Sequence, residues 1–139
     1  MLNAGAVSVL YGSAGGLSTA GGQLFTQVGG AVEANDRFGA SLAVADYDHD
    51  GFTDLAAGAP FETVGSIPDA GAVSVLYGSG GGLTRVGGQL FTQNTPGVGS
   101  SAEALDNFGL TLAAGALGPG SSAASSGRQS GNLRTMRSG

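Results

Sequence analysis

Residues 3–27, NAGAVSVLYGSAGGLSTAGGQLFTQ, return almost unchanged at 69–93 as DAGAVSVLYGSGGGLTRVGGQLFTQ. Twenty of the 25 positions are identical, at an offset of 66. A chain that repeats itself at this period folds as copies of one supersecondary unit, because each copy must bury its apolar face against the next. A second landmark, Asp36-Arg37-Phe38-Gly39, returns as Asp106-Asn107-Phe108-Gly109 at an offset of 70, so four extra residues enter the loop 94–105.

The segments inside one repeat read as strands. Ala6 to Tyr11 places Val7, Val9 and Tyr11 on one face and Ala6, Ser8 and Leu10 on the other. Both faces are apolar or small, which predicts a strand covered on both sides. Gly12 to Gly16 breaks it. Gln23–Gln27 is a shorter second strand, 28–35 a loop, Phe38–Ala45 a third strand and Thr53–Ala57 a fourth, ended by Gly58-Ala59-Pro60. Ala70–Tyr77 begins the cycle again. No helical period is evident. The expectation is all-β, with two strands of one unit in 1–27, a complete four-stranded unit in 28–93, and the start of a third in 94–115, its single strand within 106–114.

Glycine fills the turns: the chain has 28 in 139 residues, well above the usual share of about 7%. After Gly115 the repeat is lost, and Ala116 stands where Asp46 would recur. Residues 116–139 are rich in Gly and Ser and read as a disordered, flexible tail. All ten acidic residues lie in 1–107 beside only Arg37 and Arg85; 108–139 carry three arginines and no acid. An acidic body argues against nucleic acid as a partner. There is no run of about 18 apolar residues to insert into a membrane. The N-terminal residues lack the basic start of a signal peptide. With no cysteine, neither a disulfide nor a thiolate metal site can form. Arginine without lysine, beside this much Gly and Ala, fits a GC-rich genome.

The chemistry concentrates in DYDHDGFTD, Asp46 to Asp54. Hard cations take six to eight oxygen ligands, and carboxylates at alternate positions of a tight loop supply them. Asp46, Asp48 and Asp50 occupy loop positions 1, 3 and 5. Gly51 permits the turn, Phe52 at position 7 offers its backbone carbonyl, and Asp54 at position 9 adds a carboxylate. The EF-hand shares this beginning but needs a bidentate Glu at position 12 and flanking helices; position 12 here is Ala57 and the flanks are strands. The plainer alternative is a solvated Asp-Gly turn. Four aspartates at this spacing exceed what a turn needs, so Ca2+ is the expected ion, with magnesium disfavoured because it seldom takes an all-protein oxygen cage.

Phe38-Gly39, Ser41, the Asp46–Asp54 loop and Gly58-Ala59-Pro60 together resemble the FG-GAP repeat of integrin alpha-subunit β-propellers and many bacterial surface proteins. The full motif occurs once, and the resemblance covers about residues 3–115. It implies four-stranded antiparallel propeller blades, about one and three-quarter of them here: a partial blade at 1–27, a complete one at 28–93 and the start of the next at 94–115. It places calcium in the hairpin between the first two strands of a blade. It assigns partner binding to the opposite face, here the loops 28–35, 61–69 and 94–105. It implies an extracellular or cell-surface, adhesive module whose partner is a protein or glycan. One complete blade cannot cover both its faces, so further blades or self-association are expected.

No catalytic constellation is evident. The only histidine, His49, sits at a non-ligand position of the loop. With no cysteine and no second histidine, a nucleophilic triad has no material. The glycine runs at 78–82 and 118–120 lack the lysine and helix of a phosphate loop. Glu33, Glu62 and Glu103 read as single loop carboxylates, and Tyr11 and Tyr77 as core. The expected function is therefore non-catalytic interaction. The alternatives are an accessory piece of a larger secreted hydrolase, since similar repeats accompany phospholipase domains, and a gene fragment without function.

Overall fold

The computed structural model describes residues 2–29, 32–99, 101–118, 121–127 and 133–137. Nine strands form three antiparallel sheets and no helix occurs among the described residues. No helix is therefore long and apolar enough to cross a membrane. β1 (Val7–Ser13) pairs with β2 (Gly16–Phe25). β3 (Ser41–Ala45), β4 (Asp54–Ala59), β5 (Ala72–Ser79) and β6 (Gly82–Phe91) form a four-stranded meander. β7 (Thr111–Gly118), β8 (Ser121–Gly127) and β9 (Leu133–Arg137) form the third sheet.

The repeat dictates the register. Val7 pairs with Phe25 in the first sheet, and Val73 with Phe91 in the second. Both hairpins shift register at the same place, between Val9 and Tyr11 and between Val75 and Tyr77. β2 and β6 run longer than the short strand expected, because the Gly-Leu-Ser and Gly-Leu-Thr segments continue the ladder back to the turn.

The central sheet is covered on both faces. Val7, Phe25, Val28 and Phe38 pack against Leu55, Ala57, Ala59 and Leu76 on one side. Tyr47, Ala56, Val73 and Val75 pack with Phe108 on the other, joined by Phe91 and Leu112. Every residue of β4 is buried. Polar bonds tie the first sheet to the second. Leu83 N donates to Tyr11 Oη at 2.8 Å, Gln23 Nε2 to Leu83 O at 2.9 Å, and Ser74 Oγ to Val28 O at 3.0 Å.

The two-sided burial expected for the first strand holds only for its second copy. Leu76 is 0% exposed, while its counterpart Leu10 is 47% exposed. The reason is geometric: among the described residues, the first sheet has a neighbour on its Val7 face alone.

The Phe-Gly and Gly-Ala-Pro elements meet at the seams between sheets. A Cβ on Gly58 would lie 2.0 Å from Gly109 O and 2.5 Å from Ser41 Oγ. Ser41 Oγ donates to Gly109 O at 2.7 Å, and Gly39 N to Gly58 O at 2.8 Å. Only a residue without a side chain admits this approach.

The C-terminal segment corrects one expectation. Residues 121–127 and 133–137 are strands rather than flexible tail, and β7 extends to Gly118, beyond the strand expected in 106–114. A backbone ladder needs donors and acceptors more than apolar side chains, so the small Ser- and Ala-rich segment of β8 can extend a sheet from β7. Residues 119–120, 128–132 and 138–139 lie outside the described residues. Where the earlier copy turns at Asp46, β7 runs on through Ala116.

Candidate metal centre

β3 ends at Ala45 and β4 begins at Asp54, so the hairpin register fixes Asp54 opposite Ala45 and closes the loop between them. Ligand oxygens of Asp46, Asp48, Asp50 and Asp54 lie within 4.8 Å of one another. The loop organises itself around Asp46. Its Oδ1 accepts from Asp50 N at 3.1 Å and its Oδ2 from Gly51 N at 2.8 Å. Asp50 Oδ1 in turn accepts from Phe52 N at 2.9 Å. His49 and Gly51 take left-handed conformations, φ 60° and 91°, which curl the chain back on itself.

Asp54 has a second role. It is 0% exposed; its Oδ2 accepts from Tyr47 N at 2.7 Å and its Oδ1 from Gly78 N at 2.8 Å. One carboxylate therefore clamps the start of the loop to the neighbouring β5–β6 hairpin.

The electrostatics of the four differ. Desolvation opposes charge on Asp46, but the amides of Gly51 and Asp50 outweigh it and hold the carboxyl below its ordinary value. Asp48 is pushed up, first by desolvation and then by the charges of Asp54 and Asp50. The loop contains no lysine or arginine to offset them. Four converging carboxylates with only backbone amides as compensation fit a hard cation, and the donor set is all oxygen. Tyr47, which sequence reasoning passed over, is 5% exposed beneath the loop. Burial, then the Asp54 charge, pushes its phenol up to about 12, and its hydroxyl has no hydrogen-bond partner.

The expected ligands thus converge as four aspartates. Phe52 lies in the same loop, 44% exposed, with its amide engaged by Asp50. His49 is exposed, as expected for a non-ligand position.

One reading of the sequence is corrected. Glu33 and Glu62 do not stand alone: with Asp36 they bring carboxylate oxygens within 4.8 Å of one another. Residues 29 positions apart meet because the segment before β3 and the β4–β5 connection lie at the same end of the sheet; Phe61 N donates to Asp36 O at 3.4 Å. The signal lay in the repeat, where Gln27, Glu33 and Asp36 recur as Gln93, Glu103 and Asp106.

Comparison with known proteins agrees with this geometry. The family model of the FG-GAP repeat matches residues 38–76. Phosphatidylinositol-glycan-specific phospholipase D of Rattus norvegicus is 40% identical over 78 residues, 54% of this chain and 9% of that protein. The Mus musculus protein of the same name is 47% identical over 47 residues, 34% of this chain and 6% of that protein. The chain spans less than a tenth of the length of either relative. Residues 38–76, which hold the aspartate loop and most of the central sheet, are an FG-GAP repeat, and the chain is an all-β assembly built around it.

Proposed function

We propose that this chain is a calcium-binding, non-catalytic interaction module of the β-propeller type, acting outside the cell or at its surface. The observation that carries the reading is the convergence of Asp46, Asp48, Asp50 and Asp54 in one β-hairpin loop. Bound calcium would neutralise the carboxylates and cross-link the hairpin, with the Phe52 carbonyl as a further ligand. The connection 61–69 and the described part of 94–105 gather at the opposite end of the sheets, joined by the Leu105 N to Pro68 O bond at 3.2 Å. With the described part of 28–35 they form the face proposed to bind a protein or glycan.

The test is thermal melting and limited proteolysis of chelated protein as calcium is added. Calcium should raise the melting temperature and slow cleavage, and Asp48→Ala should weaken both effects. No response to calcium would refute the reading.

A second reading rests on the relatives. Both are named as phospholipases, and the aligned stretches are a small part of each. On this reading the chain is an accessory part of a larger secreted hydrolase, and catalysis resides outside these residues. Assay of the chain on a glycosylphosphatidylinositol substrate should show no cleavage. The reading frame that flanks the segment in its gene separates the two readings, because a catalytic domain encoded beside it supports the second.

A further inference from the structure

The second carboxylate cluster lies at the end of the sheets away from the aspartate loop. Gln27 follows β2, Glu33 and Asp36 precede β3, and Glu62 follows Pro60 in the β4–β5 connection. Asp36 and Glu62 are 2% and 4% exposed. Two buried acids beside a third repel one another and have little water to solvate them. Asp36 Oδ2 accepts from Glu33 N at 2.8 Å, and the Asp36 and Glu62 carboxyls hydrogen-bond each other. Glu62 Oε2 is buried without a hydrogen-bond partner. So is Oε1 of Gln27, a side chain that is itself 4% exposed and hydrogen-bonds the Glu62 carboxyl. Burial pushes the Glu62 carboxyl up to about 7.

Three carboxylates meet here, Glu62 Oε2 among them is an unmet acceptor, and the unmet Gln27 Oε1 belongs to the amide beside the Glu62 carboxyl. A hard divalent cation takes such donors, and the exposed Glu33 side leaves room for water to complete its shell. We propose that Gln27, Glu33, Asp36 and Glu62 form a second cation site, which staples the end of the first sheet to the β4–β5 connection of the second. The repeat supports its being built into the unit. Gln93, Glu103 and Asp106 take the corresponding places, and Glu103 N donates to Asp106 Oδ2 at 3.1 Å as Glu33 N does to Asp36.

The test is calcium binding to the full chain by equilibrium dialysis near neutral pH, with calcium as the probe. Asp48→Ala/Asp50→Ala disables the loop and leaves this cluster intact. That variant is expected to retain about one calcium per chain, and adding Glu62→Gln is expected to remove it. In the otherwise native chain, Glu62→Gln is expected to lower binding from about two ions to about one. Glu62→Gln is nearly isosteric, and circular dichroism in chelator checks that it folds; Asp36→Asn probes the same site independently. The proposal is overturned if the loop-disabled variant binds no calcium, or if neither Glu62→Gln nor Asp36→Asn changes its binding. An infrared band of a protonated carboxyl that persists in calcium and disappears in Glu62→Gln also overturns it, because Glu62 would then hold a proton in place of the ion. Failure of the aspartate loop shows separately, as loss of the Asp48/Asp50-dependent ion alone.

Discussion

Asp54 and Asp48 belong to the same loop but have different work to do, and replacing each by alanine separates metal binding from folding. Asp54 is 0% exposed and accepts two backbone bonds, from Tyr47 N at 2.7 Å and Gly78 N at 2.8 Å. Asp54→Ala leaves both amides without a partner. Each such loss costs about 1–3 kcal/mol, so the pair should cost about 2–5 kcal/mol even in chelator, with the half-buried Gly78 amide at the low end. That is a large share of the about 5–15 kcal/mol that holds a domain folded. Asp48 is exposed, and its carboxyl is pushed up by desolvation and then by the charges of Asp54 and Asp50. Asp48→Ala should leave stability in chelator close to that of the native chain. At about a hundred times the loop's dissociation constant, the loop's ion adds about 2.7 kcal/mol, which Asp48→Ala should lack. Urea denaturation followed by circular dichroism, with chelator and then with calcium, measures all four quantities. If Asp54→Ala in chelator were as stable as the native chain, the clamp described for Asp54 would be wrong.

Other outcomes follow from the same structure. Leu76→Ala should cost about 2–5 kcal/mol while Leu10→Ala, at the same place in the other copy, should cost under about 1 kcal/mol, measured by urea midpoints. Gly58→Ala should lower the melting temperature sharply, because its Cβ would stand 2.0 Å from Gly109 O. In chelator, Glu62 should make stability fall as pH rises. Its carboxyl holds a proton in the folded chain up to about 7 and loses it near 4.5 when unfolded. The contribution is present below about 4.5 and is lost as pH passes about 7; Glu62→Gln should flatten that slope in urea titrations across this window.

The sequence announced the strands and the aspartate loop because both are local. Alternation along Val7-Ser8-Val9 and the spacing of Asp46, Asp48 and Asp50 need no knowledge of distant residues. The Asp54 clamp was half legible: its place in the loop showed, its bond to Gly78 did not, because Gly78 lies 24 residues on. The Glu33–Asp36–Glu62 cluster was missed for the same reason, since its members meet only when a connection from one strand pair folds against the segment before another. β8 escaped notice because Ser and Ala carry no periodic apolar signal, while backbone pairing asks for none.

The open face of the first sheet has a consequence for symmetry. Leu10 and Leu24, 47% and 68% exposed, lie where the next sheet in the series would be expected. In the central sheet the corresponding Leu76 face is filled by the Val7 and Phe25 side of the sheet before it, so each contact joins unlike surfaces. A series of unlike contacts has direction, a head and a tail. Whatever covers Leu10, further residues of a longer chain or another copy, extends that series. Successive additions then either rotate back to a closed ring or continue as a filament, according to the rotation between one sheet and the next.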